Sequence, residues 1–232
     1  MQSIRKLTAR AVFAAALMAG AAIPLGATQA ATLINGSFEG SGDIGNFQTI
    51  NAVDNSTIPG WTVASGSVDW IQNYWISSNG SRSLDLNGLA PGSISQTITG
   101  LTNGQQYEVT FDLAGNLAGG PNPKTLSVTA SAGSNSYSFD ASSTHLNAMG
   151  WVPESFFFTA TGSSALLTFA STTTGVSGNG SYPFAFGPAL DNVSVSATPL
   201  PAALPLFAGG LGVIGLLAKR RKRKVAAALA AA

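Results

Sequence analysis

The sequence predicts an all-β protein, an antiparallel β-sandwich set between an N-terminal signal peptide and a C-terminal transmembrane helix. Three observations predict it: apolar and polar residues alternate with a period of two, turn-forming residue pairs separate the alternating stretches, and no amphipathic 3.6-residue stripe runs between residues 31 and 198. Alternation is plainest at Tyr107, Val109, Phe111 and Leu113 against Glu108, Thr110 and Asp112. It recurs at Leu84 and Leu86 against Ser83, Asp85 and Asn87, and at Leu126, Val128 and Ala130. Further strands are expected over 32–35, 67–72, 93–99, 136–140, 154–160, 165–171 and 190–196. Pro59-Gly60, Asn79-Gly80, Pro91-Gly92, Asn103-Gly104, Gly119-Gly120-Pro121 and Gly178-Asn179-Gly180 mark the turns between them. About ten short strands with one buried face each make a two-sheet sandwich.

Composition removes several chemistries. With no cysteine there is no disulfide framework, thiolate metal site or thiol nucleophile, and one histidine, His145, cannot make a His-pair metal site. The formal net charge of +1 conceals a segregation. Residues 31–198 hold all ten acids against two cations, Arg82 and Lys124, a net −8, while both ends are basic and apolar. Such a centre does not suit nucleic acid, which needs cations on the folded surface.

The ends read as membrane-handling segments. Arg5, Lys6 and Arg10 precede an apolar run from Ala11 to Ile23, helix-breaking Pro24 and Gly26, and small residues up to Ala30, the pattern of a secretory signal peptide over residues 1–30. The apolar run is shorter than the ~20 residues that cross a bilayer. Near the other end, an apolar stretch from Ala202 through Ala218 precedes six cations, Lys219 to Lys224. As a helix it would be roughly 25 Å long, enough for a tilted or thin-bilayer span whose cations stay cytoplasmic and leave residues 31–198 outside.

Pro199-Leu200-Pro201-Ala202-Ala203-Leu204-Pro205, the Gly-rich span from Leu206 to Leu217 and the basic cluster resemble the PEP-CTERM sorting domain of Gram-negative bacteria, here over residues 198–224. The resemblance implies an exosortase as processing partner, acting near Pro199, Leu200 and Pro201, with transient membrane anchoring before release to the cell surface. Leu200 stands where the namesake motif has glutamate, and the tail at 225–232 extends past the usual basic end; it is read as inert.

The central domain, residues 31–197, carries an ordered series of motifs: Asn35-Gly36-Ser37-Phe38-Glu39, Ile58-Pro59-Gly60-Trp61-Thr62-Val63, Ser67-Val68-Asp69-Trp70-Ile71, Ser83-Leu84-Asp85-Leu86-Asn87-Gly88, Phe111-Asp112-Leu113-Ala114-Gly115-Asn116, Met149-Gly150-Trp151 and Gly187-Pro188-Ala189-Leu190-Asp191-Asn192-Val193. This series resembles the choice-of-anchor C family, similar to plant cell-wall proteins of the galactose-binding-like jelly-roll type. The resemblance implies an extracellular, non-enzymatic module with affinity for polysaccharide. Its first and last motifs are also similar to carbohydrate-binding sandwiches that hold a structural calcium ion between their terminal strands, with Glu39 and Asp191 at the matching positions. Calcium takes six to eight oxygens, so carbonyls such as those of Ser37 and Ser41 would have to complete the set. Solvated strand-end carboxylates are the alternative.

The other candidates rest on side-chain chemistry. Trp61, Trp70, Tyr74 and Trp75 crowd one stretch, and flat aromatic faces stack on sugar rings. Trp61, after Pro59-Gly60, is expected inside, whereas Tyr74 and Trp75 occupy a polar, loop-like segment and are the ligand candidates. Arg82 either meets a ligand or pairs with Asp85 or Asp69. Asp85 and Asn87 lie opposite Leu84 and Leu86 and could present hydrogen-bonding groups from the polar side of a strand. Asp69 and Asp85 could form the carboxylate pair of a glycosidase. The glycines of Gly40-Ser41-Gly42-Asp43-Ile44-Gly45 match a dinucleotide fingerprint by letters alone, and without a following helix pattern the segment reads as a loop. No nucleophile elbow occurs. Three functions follow as expectations: a polysaccharide-binding surface or matrix protein, a structural surface protein acting through protein contacts, and a glycan-active hydrolase.

Overall fold

The computed structural model describes residues 30–175, 184–199 and the helical positions 210, 212, 214, 215 and 218–220. The signal peptide up to residue 29, Leu200 and Pro201 of the sorting motif, the cluster from Arg221 and the tail at 225–232 lie outside the described residues, as does most of the expected membrane span. Among the described residues, no helix is long and apolar enough to cross a membrane.

The described residues form eleven strands: β1 (Phe47–Asn51), β2 (Thr62–Ser65), β3 (Ser67–Ile71), β4 (Ser83–Asp85), β5 (Ser93–Thr99), β6 (Gln106–Gly115), β7 (Lys124–Ala130), β8 (Gly133–Phe139), β9 (Val152–Thr159), β10 (Ser164–Ser171) and β11 (Pro188–Ala197). They make a six-stranded sheet in the order β1-β3-β4-β11-β6-β9 and a five-stranded sheet in the order β2-β5-β10-β7-β8. Every pairing is antiparallel. The all-β sandwich expected from alternation is therefore present.

Alternation places the core. On β6, Tyr107, Val109, Phe111 and Leu113 are all at most 1% exposed, and Leu126, Val128, Leu167 and Phe169 meet them from β7 and β10. Aromatic contacts run through the interior from Phe38 to Trp61, Trp61 to Phe169, Phe169 to Phe111 and Phe111 to Tyr137, with centroids 5.1–6.3 Å apart. Trp61 is inside, as its Pro-Gly lead-in implied. The Asn103-Gly104 turn closes with Gln105 N–H donating to the Thr102 carbonyl, and Gly104 takes φ +80°, the left-handed conformation this turn needs at its third position.

One strand expectation needs correction, and two strands were not among those expected. Residues 32–35 form no strand; Thr32 makes one isolated bridge to Thr99. Conversely, β1 and β2 were not anticipated. β1 is an edge strand with Ile50 as its one buried residue, and β2 is four residues long. Neither exposes enough alternation to be read.

Candidate functional site

Residues directly opposite in antiparallel strands project to the same face. One such row crosses the outer face of the six-stranded sheet, from Thr49 to Asp69, Asp85, Ala189 and Ala114. The adjacent row, Trp70, Leu84, Leu190 and Leu113, faces the core. Chain returning over the outer face makes a cleft of about 520 Å³ there, lined by Phe47, Thr49, Asp69, Ile71, Tyr74, Gly88, Leu89, Asn116, Ala118, Ala185 and Phe186.

Each wall has a local cause. Ser67 Oγ accepts N–H bonds from Leu89 (2.7 Å) and Ala90 (3.1 Å), folding that turn against the sheet and leaving Leu89 54% exposed. Phe47 is 44% exposed and meets Tyr74 edge-on at 5.7 Å; Tyr74 in turn packs on Trp75 at 5.6 Å. Phe186 holds φ +73°, a conformation costly for a bulky residue. It is held there from both sides: Lys124 Nζ donates to its carbonyl (2.7 Å), and the next N–H, of Gly187, donates to Asp85 (2.9 Å).

The floor is polar. Asp69 accepts from Thr49 Oγ1 at 2.5 Å, and burial raises its pKa against that bond. Asp85, beside it on β4, has 0% exposure. Its Oδ1 accepts from the N–H groups of Asn87 (2.8 Å) and Gly187, and its Oδ2 from Asn116 Nδ2 (2.8 Å). Burial nevertheless pushes Asp85 up to about 7. Tyr74 is raised too, by burial first and then by the charges of Asp85 and Asp69.

The candidates from the sequence therefore separate. Tyr74 lines the cleft. Trp75 does not: it is 4% exposed, its indole N–H donates to Ser83 Oγ (2.7 Å), and it supports Tyr74 from behind. Asp85 and Asn87 are also not presented to a ligand, because β4 is covered on both faces; Asn87 is 2% exposed and its Nδ2 donates to the carbonyls of Thr173 and Phe184. Arg82 pairs with neither Asp85 nor Asp69. It is 2% exposed, stacks 4.0 Å over the Trp70 ring and donates through Nη2 to the Gly42 carbonyl. The Gly40–Gly45 segment is thus a loop, ordered in part by that guanidinium.

Glu39 and Asp191 both grip the segment from Ser78 to Arg82. Glu39 accepts from the N–H and Oγ of Ser81 and from the N–H of Arg82; Asp191 accepts from the N–H groups of Asn79 and Asn192. These oxygens face donors, and among the described residues no group of three potential acidic or imidazole ligands gathers. A calcium ion takes six to eight oxygens, so these two carboxylates would supply only part of its shell and carbonyls the rest. Pro199, the described member of the sorting motif, is exposed just beyond β11.

Phe47, Thr49, Leu89, Asn116 and Phe186 escaped the sequence reading. Asn116 closes the Phe111–Asn116 motif and Asp69 lies within Ser67–Ile71; β1 carries no clear alternation, and nothing local marks Leu89 or Phe186 as walls.

Comparison with known proteins gives a family. A family model described as "Protein of unknown function (DUF642)" matches residues 31–196. Halomucin from Haloquadratum walsbyi is 35% identical over 177 residues, 74% of this chain but 2% of that protein, so the chain spans a small fraction of this curated relative. Solved structures that are similar include the CBM22-1 xylan-binding domain of Paenibacillus barcinonensis Xyn10C (16% identity, 69% of this chain and 100% of that one, TM-score 0.40). TmCBM61 in complex with beta-1,4-galactotriose is 13% identical over 60% of this chain and 88% of its own, with a TM-score of 0.40. CBM35 from Paenibacillus barcinonensis is 16% identical over 65% and 99%, with a TM-score of 0.39.

Proposed function

The chain belongs to the DUF642 family, and from that premise we propose that its sandwich is a non-catalytic module that binds polysaccharide in the cleft on the six-stranded sheet. The observation that carries this reading is the pairing of partly exposed aromatic walls, Phe47, Tyr74 and Phe186, with a floor of Thr49, Asp69 and Asn116. Sugar rings present apolar C–H faces and a rim of hydroxyls, and a cleft with flat apolar walls and a few fixed polar groups matches both. The hydrolase reading lacks a second usable carboxylate. Asp69 lines the cleft, but Asp85 is sealed and both its oxygens are engaged by donors, whereas glycoside hydrolysis needs two carboxyls flanking the scissile bond.

The same proposal includes export by residues 1–30, the choice-of-anchor C and galactose-binding-like likeness, and exosortase sorting through 198–224, with release to the cell surface or matrix. What supports the sorting boundary is that the last strand ends at Ala197 and Thr198 is its final tie, donating to the Gln106 carbonyl, so cleavage beyond it would leave the sandwich whole. The test is binding of the purified protein to a glycan panel that includes polysaccharide from its own producer. Binding weakened by Tyr74→Ala supports the cleft; no binding to any glycan favours a structural surface protein acting through protein contacts.

A further inference from the structure

We propose that the cleft selects uncharged polysaccharide and rejects polyuronates and sulfated glycans, an inference that rests on the cleft being a polysaccharide site. Recognition of a polyanion needs cations or forked donors that reach it. Residues 31–198 contain two cations, and the fold withdraws both. Arg82 is 2% and Lys124 1% exposed. Lys124 Nζ donates to the carbonyls of Gly119 (2.6 Å) and Phe186 (2.7 Å), on the far side of the cleft wall. Arg82 Nη2 donates to Gly42, its plane covers Trp70, and its unpartnered Nη1 is itself buried, so neither terminal nitrogen reaches a bound chain.

The acids are distributed the opposite way. Of ten, only Asp85 and Asp191 are buried; the other eight reach solvent to some degree, and Asp69 is the charged side chain lining the cleft. Residues 176–183, which complete this region of the chain, carry no charged side chain. A carboxylate or sulfate on a sugar would approach Asp69 with no opposing cation, inside the field of a domain of net −8. A hydroxyl, by contrast, can donate to Asp69 and accept from Asn116 or the Tyr74 hydroxyl.

The test is affinity electrophoresis of the full-length protein against matched polymers, galactan with polygalacturonate and mannan with alginate, at about 10 mM salt and again at about 150 mM, since screening shortens from roughly 30 Å to 8 Å between them. The basic segment Lys219–Lys224 can bind polyanions by itself, so Tyr74→Ala and Phe47→Ala report which binding belongs to the cleft. The expected result is retention by a neutral polymer that is insensitive to salt and about tenfold weaker in both variants, which is a loss of ~1.4 kcal/mol. Retention by the polyanions should vanish at the higher salt and be unchanged by either variant. Polyanion retention that the variants abolish would overturn the selectivity while keeping the cleft. Absence of cleft-dependent retention by every polymer would overturn the polysaccharide reading itself.

Discussion

Asp69 and Asp85 are register partners on β3 and β4, side by side on one sheet face, yet Asp69 opens to the cleft while Asp85 has no exposed surface. The difference comes from what lies over each. Asp85 is capped by Asn87, Asn116 and Gly187, and Asp69 meets Thr49 and the cleft. Asp85 thus fastens the loop that carries Phe186, and Asp69 is left to contact whatever enters.

Stability should depend on pH in an unusual direction. Burial pushes both Asp85 and Asp191 up to about 7. Unfolded aspartate titrates near ~3.9, so the folded state holds these protons more tightly; the stabilisation is complete below about pH 4 and is lost as pH rises through 7. Burial holds Lys124 down to about 8, which favours the folded state again from pH 8 toward ~10.4. Thermal melts from pH 4 to 10 should show a minimum near pH 7–8 that Asp85→Asn makes shallower. A maximum there would refute the assignment.

Lys124→Met keeps most of the buried stem and removes the donor. The carbonyls of Gly119 and Phe186 lose their partner at ~1–3 kcal/mol each, partly offset by relief of a buried charge, for a net of about 2 kcal/mol. At ~2–4 °C per kcal/mol, Tm should drop by roughly 4–8 °C, and glycan binding should weaken because Phe186 is no longer held at the cleft. Calorimetry with parallel binding assays checks both.

Adjacent aromatics should give opposite phenotypes. Trp75→Ala removes a buried indole and its bond to Ser83, a loss of ~3–5 kcal/mol. Tyr74→Ala, at a partly exposed site, should weaken binding about tenfold while retaining most of the stability. Comparable effects of the two on Tm would show that Tyr74 is simply part of the core.

These contrasts show what the sequence could reveal. Alternation identified β6 and β7 because each buries one apolar side, and it set Asp85 and Asn87 opposite Leu84 and Leu86. It could not reveal that β4 is covered on its polar side as well, since a polar residue satisfied by loop amides and one facing water look alike in a pattern. Trp75 is the same case: its polar neighbours suggest an open loop, but the indole is buried against the sheet. The cleft is assembled from β1, β3 and segments near residues 74, 89, 116 and 186, whose meeting depends on topology rather than on any local spacing.

Chelation is a further check. With Glu39 and Asp191 facing peptide donors, excess EDTA should leave Tm unchanged, whereas Glu39→Ala, which strands the amides of Ser81 and Arg82, should cost ~2 kcal/mol. A clear drop in Tm with EDTA, reversed by calcium, would instead support a structural calcium ion at Glu39 and Asp191.

Hydrogen exchange of the protein with and without a retained neutral polysaccharide locates the binding surface without any substitution. Slower exchange confined to segments around residues 47–49, 69–75, 88–90, 116–118 and 185–187 is the expected footprint. Protection centred instead on β8 or β9, with these segments unchanged, would contradict the cleft as the binding site.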